Sequence, residues 1–364
     1  MVLLYVFGAV ALINCVYYLL FSKFSFLKPS ENKSSDKYPV SLIICAKNEA
    51  ENLQKHIPLW QSQNHPNFEI ILINDASVDE TLEVIEAFAE SDPRIQIVNV
   101  KNNEAFWANK KYALTLGIKR AKNKRLVFTD ADCYPASNEW LSRMSSSFSD
   151  KKQLILGYGA YEKLPGFLNK IIRFETLMTA VQYFSYAKAG NPYMGVGRNL
   201  AYTSTLYYEN NGFMSHMKIP SGDDDLFVNE AATSENIEIC VQPEAFTYSF
   251  PKKKKEKWHI QKKRHYATAK LYKFKHRFLL GAYYIFNLLF WLLVPVILFT
   301  PFWIFGLSII FIRILFQYVI IGYAAKKLQE ADLVPLIPFY ELFLIFTQLS
   351  IFISNSSEKN ARWK

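Results

Sequence analysis

Between residues 38 and 132 short apolar runs alternate with stretches of helical period. Residues 40–46 (VSLIICA), 68–74, 95–100 and 125–129 read as strands, and the first is apolar enough to be buried on both faces. Helical patterns fill the intervals at 49–61, 78–90 and 108–122. Strands alternating with helices of this length predict a mostly parallel α/β sheet with right-handed crossovers, of the Rossmann-like nucleotide-binding kind. No Gly-x-Gly-x-x-Gly loop opens any of these helices, so dinucleotide chemistry is not expected. After residue 132 the alternation loosens. Residues 154–161 are one more strand candidate, and 195–202, 223–232 and 240–248 complete a second half of the domain. Residues 165–189 are long, aromatic and poor in charge, which suits either a helix in a membrane interface or a core helix packed on the sheet.

Four apolar runs approach the length needed to cross a bilayer, about 20 residues. They are 1–21, 278–299, 302–323 with Arg313 inside, and 333–353 with Glu341 inside. No basic stretch precedes the first and no small-x-small cleavage site follows it, so it reads as a span rather than a cleaved leader. Pro335, Pro338 and Glu341 leave the last run open between a full span and a re-entrant or interfacial segment. The 364 residues thus divide into an N-terminal span (1–22), a polar domain (38–250), a basic segment (251–277) and a C-terminal hydrophobic region (278–354). Lys23, Lys28, Lys33 and Lys37 follow the first span, the basic segment precedes the second, and Lys326 and Lys327 follow the third. The positive-inside rule then predicts an integral protein of a bacterial-type inner (plasma) membrane with its polar domain in the cytoplasm. A fourth full span would carry Lys359, Arg362 and Lys364 outward, against that rule.

A net charge of +10 raises the question of a nucleic-acid partner, and the distribution of charge answers it. Twelve Lys or Arg fall between residues 252 and 277 with one acid, Glu256. Beside a membrane span such residues meet anionic headgroups at about 1 kcal/mol each. The membrane is the expected partner, and nucleic acid is not. The four cysteines (15, 45, 133 and 240) show no paired spacing, which predicts neither a zinc site nor a disulfide framework and fits a reducing compartment.

Candidate chemistry gathers at strand ends. Asp130-Ala131-Asp132 closes the fourth strand, and open α/β sheets bind ligands outside the carboxyl ends of their strands. Two carboxylates there, together with substrate phosphates, can hold Mg2+ or Mn2+. Taken alone, such a triplet is more often a solvated strand end. Glu49 and Asp75 stand at the corresponding ends of the first two strands and could contact a nucleoside, with Asp79 assigned to capping the next helix. Glu49 could equally serve the helix N-terminus. Gly222-Asp223-Asp224-Asp225-Leu226 places three carboxylates side by side, whose repulsion raises at least one pKa and exceeds what a helix dipole needs. One of them can act as a general base. In Gln261-Lys-Lys-Arg264-His265 the guanidinium fork suits a diphosphate, and Lys110 or Lys111 could serve likewise.

The order of these features resembles that of family 2 glycosyltransferases. The matching stretches are Cys45-Ala-Lys-Asn-Glu49, Asn74-Asp-Ala-Ser-Val-Asp79, Asn109-Lys-Lys-Tyr-Ala-Leu114, Asp130-Ala-Asp132, Gly197-Arg-Asn-Leu-Ala-Tyr202, Gly222-Asp-Asp-Asp-Leu226 and Gln261-Lys-Lys-Arg264. Each is weak alone; seven in order are specific. The resemblance implies a GT-A fold, a nucleotide-sugar donor (most often a UDP-sugar), Mg2+ or Mn2+, and inversion at the anomeric carbon. It matches Glu49 and Asp75 to uridine contacts, Lys110 to a donor contact, and Asp130 and Asp132 to the donor-metal motif, with Asp132 the direct ligand. Asn199 falls in an acceptor-side motif. The base falls at Asp223, but Gly222 stands where Glu is usual, so Asp224 remains a rival. Gln261 and Arg264 match a diphosphate-binding motif in which His265 replaces a Trp that lines the acceptor entrance of processive members. With only three or four spans, that departure favours single transfer to a lipid or lipid-linked acceptor over a processive polysaccharide synthase. An inactive scaffold of the same fold is the third expectation, set against intact carboxylates at 75, 130, 132 and 223.

Overall fold

The computed structural model describes residues 1–28, 38–101 and 110–357. Lys33, Lys37, Lys359, Arg362 and Lys364 lie outside the described residues, as do the first two positions of the helix expected at 108–122. Two compact units form among the described residues: a sheet unit from 38–101, 110–163 and 190–252, and a helical unit from 1–28, 164–189 and 253–357.

The chain opens with α1 (Val2–Ser25) of the helical unit and then enters the sheet unit. There β1 (Val40–Ala46), α2 (Ala50–Gln61), β2 (Phe68–Asp75), α3 (Thr81–Ser91), β3 (Ile95–Val100), α4 (Lys110–Arg120) and β4 (Arg125–Asp130) alternate as the apolar pattern predicts. They are followed by β5 (Cys133–Pro135), α5 (Trp140–Ser146), β6 (Leu154–Gly157) and β7 (Gly159–Tyr161). After α6 (Phe167–Lys188) in the helical unit, the sheet unit resumes with β8 (Leu200–Thr203), α7 (Ser204–Glu209), α8 (Asp225–Ala231), β9 (Ile237–Cys240) and β10 (Thr247–Ser249). The main sheet has the order β3-β2-β1-β4-β8-β6-β9, and a small sheet the order β5-β10-β7. Strands β3, β2, β1 and β4 run parallel, while β8 runs antiparallel to both its neighbours. This is the mixed α/β sheet of the GT-A type.

Register fixes where the chemistry lies. Ala46 pairs with Asn74 and Cys45 with Asp130, so the ends of β1, β2 and β4 are level along one edge. The core beneath them is dense. Val40, Leu42 and Ile44 of β1 pack with Leu53, Ile57 and Trp60 of α2 and with Trp140, Leu141 and Met144 of α5. On α4, Gly117 lets the helix approach the sheet: a Cβ there would lie 2.4 Å from Ile73 Cδ1.

Three expectations change. Residues 154–161 are two strands in different sheets, because the chain crosses at Tyr158, whose carbonyl accepts from Asn199 Nδ2. Residues 240–248 likewise break, with a 3-10 turn started by Pro243 separating β9 from β10. Residues 165–189 do form a helix, but it belongs to the helical unit, where it packs on α1 and α12.

The helical unit continues with α9 (Lys255–Ala269), α10 (Phe274–Leu298), α11 (Trp303–Lys327) and α12 (Ile337–Ser357). Four segments are long and apolar enough to cross a membrane: Val2–Ser25, Phe274–Leu298, Trp303–Lys327 and Ala331–Ser354. Charges inside apolar helices are tolerated when paired. Arg313 and Glu341, both buried, meet at 2.6 Å, and Tyr18 and Trp291 donate to the same carboxylate. The pair therefore ties α1, α10, α11 and α12 together.

Candidate active site

The rim of the sheet is assembled by side chains that complete one another's hydrogen bonds. The turns after β1 and β2 pass through left-handed backbone at Asn48 (φ 57°) and Ala76 (φ 49°). Asn48 N–H donates to Ser77 Oγ (3.0 Å), Val78 N–H donates to Asn48 Oδ1 (2.9 Å), and Glu49 N–H donates to Thr81 Oγ1 (2.8 Å). Asp79, expected as the cap, lies one residue before the N-cap Glu80, and its Oδ1 accepts from Thr81 N–H at 3.1 Å. This lacing leaves the carboxylates of Glu49 and Asp75 half-buried at the rim, and burial raises the pKa of both.

After β4, the Asp130-Ala131-Asp132 turn is held from below. His56 of α2, kept neutral by burial, donates from Nδ1 to the Ala131 carbonyl at 3.0 Å. Thr129 Oγ1 donates to the Arg198 carbonyl at 2.9 Å. Asp130, Asp132 and Cys133 bring two carboxylate oxygens and a thiol within 4.8 Å of one another. Burial holds the Cys133 thiol well above its usual range, so it acts as a neutral donor to Asp132 Oδ1 (3.5 Å). Two clustered carboxylates with no competing thiolate fit a hard divalent cation.

Lys110 joins this edge to the acidic cluster. Its ammonium lies 2.8 Å from Asp130 Oδ1 and 2.9 Å from Asp223 Oδ2. Burial disfavours its charge, but the two carboxylates outweigh that and raise its pKa well above normal. Asp223 shows the converse: burial would raise it, yet Lys110 brings it below the usual carboxylate range. Asp224 differs in kind. Its Oδ2 accepts from Gly197 N–H (2.6 Å) and its Oδ1 from Asp225 N–H (2.7 Å) at the start of α8. Burial, with Asp223 and Asp225 alongside, pushes its pKa up to about 8. Asp224 is thus bound by two backbone N–H groups, while Asp223 pairs with Lys110. Beneath them Ile43, Cys45, Leu114, Phe128, Leu200 and Tyr202 form the walls of a crevice rimmed by Lys110, Asp130, Asp223 and Asp224.

Among solved structures, a mannosyltransferase from Pyrobaculum calidifontis, PcManGT in complex with GDP-Man and Mn2+, matches with a TM-score of 0.61 at 15% identity. It covers 94% of this chain and 98% of its own, and it shows the fold. The sequence model of glycosyl transferase family 2 matches residues 41–206, which hold the Asp-x-Asp turn and both strand-end acids. That stretch of the chain is similar to glycosyl transferase family 2. Glycosyltransferase AglE of Haloferax volcanii is 32% identical over 112 residues, 30% of this chain and 35% of AglE. WfaP of Escherichia coli, a UDP-Glc:alpha-D-GlcNAc-diphosphoundecaprenol beta-1,3-glucosyltransferase, is 28% identical over 125 residues, 34% of this chain and 45% of WfaP. The chain thus spans less than half the length of these two relatives.

Seen as a family 2 site, the residues expected from sequence separate into groups. Glu49, Asp75, Lys110, Asp130, Asp132, Asp223 and Asp224 all lie on the sheet unit, and Lys110, Asp130, Asp223 and Asp224 share the crevice. Asn199 requires a correction. It is fully buried, its amide donating to Tyr158 O (3.0 Å) and Ala245 O (2.8 Å) and accepting from Trp140 Nε1 (3.1 Å). No surface remains for an acceptor, and its work is to pin β8. Gln261, Arg264 and His265 lie on α9 of the helical unit.

The unusual Gly222 has a physical cause. Its φ is +96°, and a Cβ there would lie 2.5 Å from Leu226 Cδ1, so glutamate is excluded from this backbone. Sequence reasoning missed His56, whose only signal is a histidine on the buried face of a helix, and the pairing of Lys110 with two carboxylates. The signal for the latter was available: cations in a first helical turn oppose the macrodipole and need another reason to be there.

Proposed function

We propose that this chain transfers one sugar from a nucleotide-diphosphate donor, a UDP-sugar in the first instance, to a lipid or lipid-linked acceptor with inversion. The observation that carries the reading is Lys110 holding Asp130 and Asp223 in one crevice at the carboxyl edge of the sheet. Asp223, kept ionised by Lys110, takes the proton of the acceptor hydroxyl as general base. Asp224 braces Gly197 and α8, and so fixes the base from behind. Asp132, with Asp130, would hold Mg2+ or Mn2+, which when bound neutralises charge on the leaving diphosphate. Glu49 and Asp75 contact the nucleoside. The family 2 resemblance assigns diphosphate contacts to Gln261 and Arg264 and the acceptor side to His265.

A membrane-embedded acceptor is supported by the four apolar helices, by the basic run before α10, and by WfaP, whose acceptor is linked to diphosphoundecaprenol. The lysines flanking the spans support a cytoplasmic sheet unit at the inner (plasma) membrane. Incubating the full chain in detergent with a panel of radiolabelled nucleotide sugars, Mn2+ and a lipid extract tests this. Label entering the organic phase as a single-sugar adduct is the expected result. Label found only in long water-soluble polymer supports a processive synthase, and release of no nucleotide from any donor refutes an active enzyme.

A further inference from the structure

Lys110 and Lys111 are consecutive residues of α4. Lys110 is accounted for by two carboxylates. Lys111 points elsewhere, since neighbours on an α-helix are separated by about 100°. It is 1% exposed, and its ammonium donates to the carbonyls of His216 (2.7 Å) and Ile219 (2.9 Å).

Those carbonyls belong to the connection between α7 and α8, which includes the 3-10 turn Met214–His216 and ends on Gly222 and Asp223. A buried ammonium is costly unless its donors are used and charge is nearby. Burial lowers Lys111 to about 8, while Asp223, Asp225, Asp224 and Glu230 favour its charged form. The connection carries a second fastening at the same place, where the buried His216 faces Glu230 and Ser215 donates to that carboxylate at 2.7 Å. Lys111 therefore holds the segment four residues before Asp223.

We propose that Lys111 is a positioning residue: it clamps the segment bearing Asp223 to α4, so that consecutive lysines set both the charge and the place of the base. This rests on Asp223 being the base. Misplacing a reacting group by about 1 Å can cost on the order of a hundredfold in rate, and the clamp prevents that displacement.

The test compares the full chain with Lys111→Met, which keeps the stem and removes the donors, and Lys111→Arg, which can donate to both carbonyls. Hydrogen exchange is followed at residues 213–222, and donor turnover is measured with a UDP-sugar and Mn2+. In Lys111→Met, exchange at 213–222 rises at least tenfold and kcat falls ten- to a hundredfold, with donor KM within threefold. Lys111→Arg restores most of both. A residue needed only for folding would move KM, kcat and exchange throughout the sheet unit together. If Lys111→Met does not accumulate, Lys111→Gln, with a shorter donor, carries the same comparison. Unchanged exchange at 213–222, or a kcat within twofold of the parent, overturns the proposal. If the parent chain turns over no donor, the enzymatic reading fails, while the exchange measurement still decides the clamp.

Discussion

Replacing Lys110 by Met removes the one cation shared by Asp130 and Asp223. Both oxygens lie within 2.9 Å of its nitrogen, so they are at most about 6 Å apart. At that distance, with an effective dielectric constant near 20, two like charges repel by roughly 3 kcal/mol. The Asp130 side chain is 33% exposed, and solvent screening reduces the figure to about 1.5–3 kcal/mol. In the variant that repulsion is relieved by protonating one carboxylate, and Asp223, held low chiefly by Lys110, is the one that gains. A base that takes up a proton stops working, so the acid limb of the pH profile moves upward. Nucleotide release from the donor, followed from pH 4 to pH 9, is the assay. The ratio of kcat at the two ends cancels any pH-independent loss from a missing donor contact. For the variant, the acid limb lies roughly one to two pH units above that of the parent, since about 1.4 kcal/mol is one pKa unit. Parallel profiles for the two proteins would show that Lys110 does not set the charge of the base.

Three other outcomes follow from the same geometry. Gly222→Ala forces a Cβ into left-handed backbone and against Leu226, and should lower the melting temperature by an amount equivalent to about 1–3 kcal/mol, read by thermal unfolding in detergent. Asp224, protonated up to about pH 8 when folded but ionised above roughly pH 4 when unfolded, contributes stability at low pH that is lost as pH rises through that window. Asp224→Asn should therefore flatten the decline in melting temperature between pH 4 and 8 in metal-free buffer, and an unchanged slope would place the proton elsewhere. In the helical unit, Lys262 of α9 and Glu175 of α6 form a buried ion pair. Removing one partner costs about 3–5 kcal/mol, so Glu175→Gln should destabilise the chain strongly, whereas Glu175→Gln with Lys262→Met recovers much of the loss.

The alternation of strands and helices from Val40 to Asp130 was legible because each strand is a compact apolar run bounded by polar turns. The three acidic strand ends followed from it, since strand ends in a parallel sheet share one edge. What stayed hidden depended on long-range partners. Nothing local shows that β6 and β7 join different sheets, because that choice rests on Asn199 reaching the Tyr158 carbonyl from 41 residues away. The rivalry between Asp223 and Asp224 could not be settled from three adjacent carboxylates. The proposal of Asp223 rests on Gly197 N–H, which occupies Asp224, and on Lys110, which lies beside Asp223. Asn199 misled for a related reason: the motif fixes its position in the sequence, while burial decides whether it meets solvent or core.

The central claim is that Asp223 removes the acceptor proton in a site shared with Lys110 and the Asp130–Asp132 turn. Transfer of radiolabelled sugar into lipid by Asp223→Asn, measured beside the parent at saturating donor and Mn2+, tests it most directly. Loss of the base predicts a fall in kcat of about 10²–10⁴ with donor KM within threefold. Transfer by Asp223→Asn within a few-fold of the parent would contradict the account.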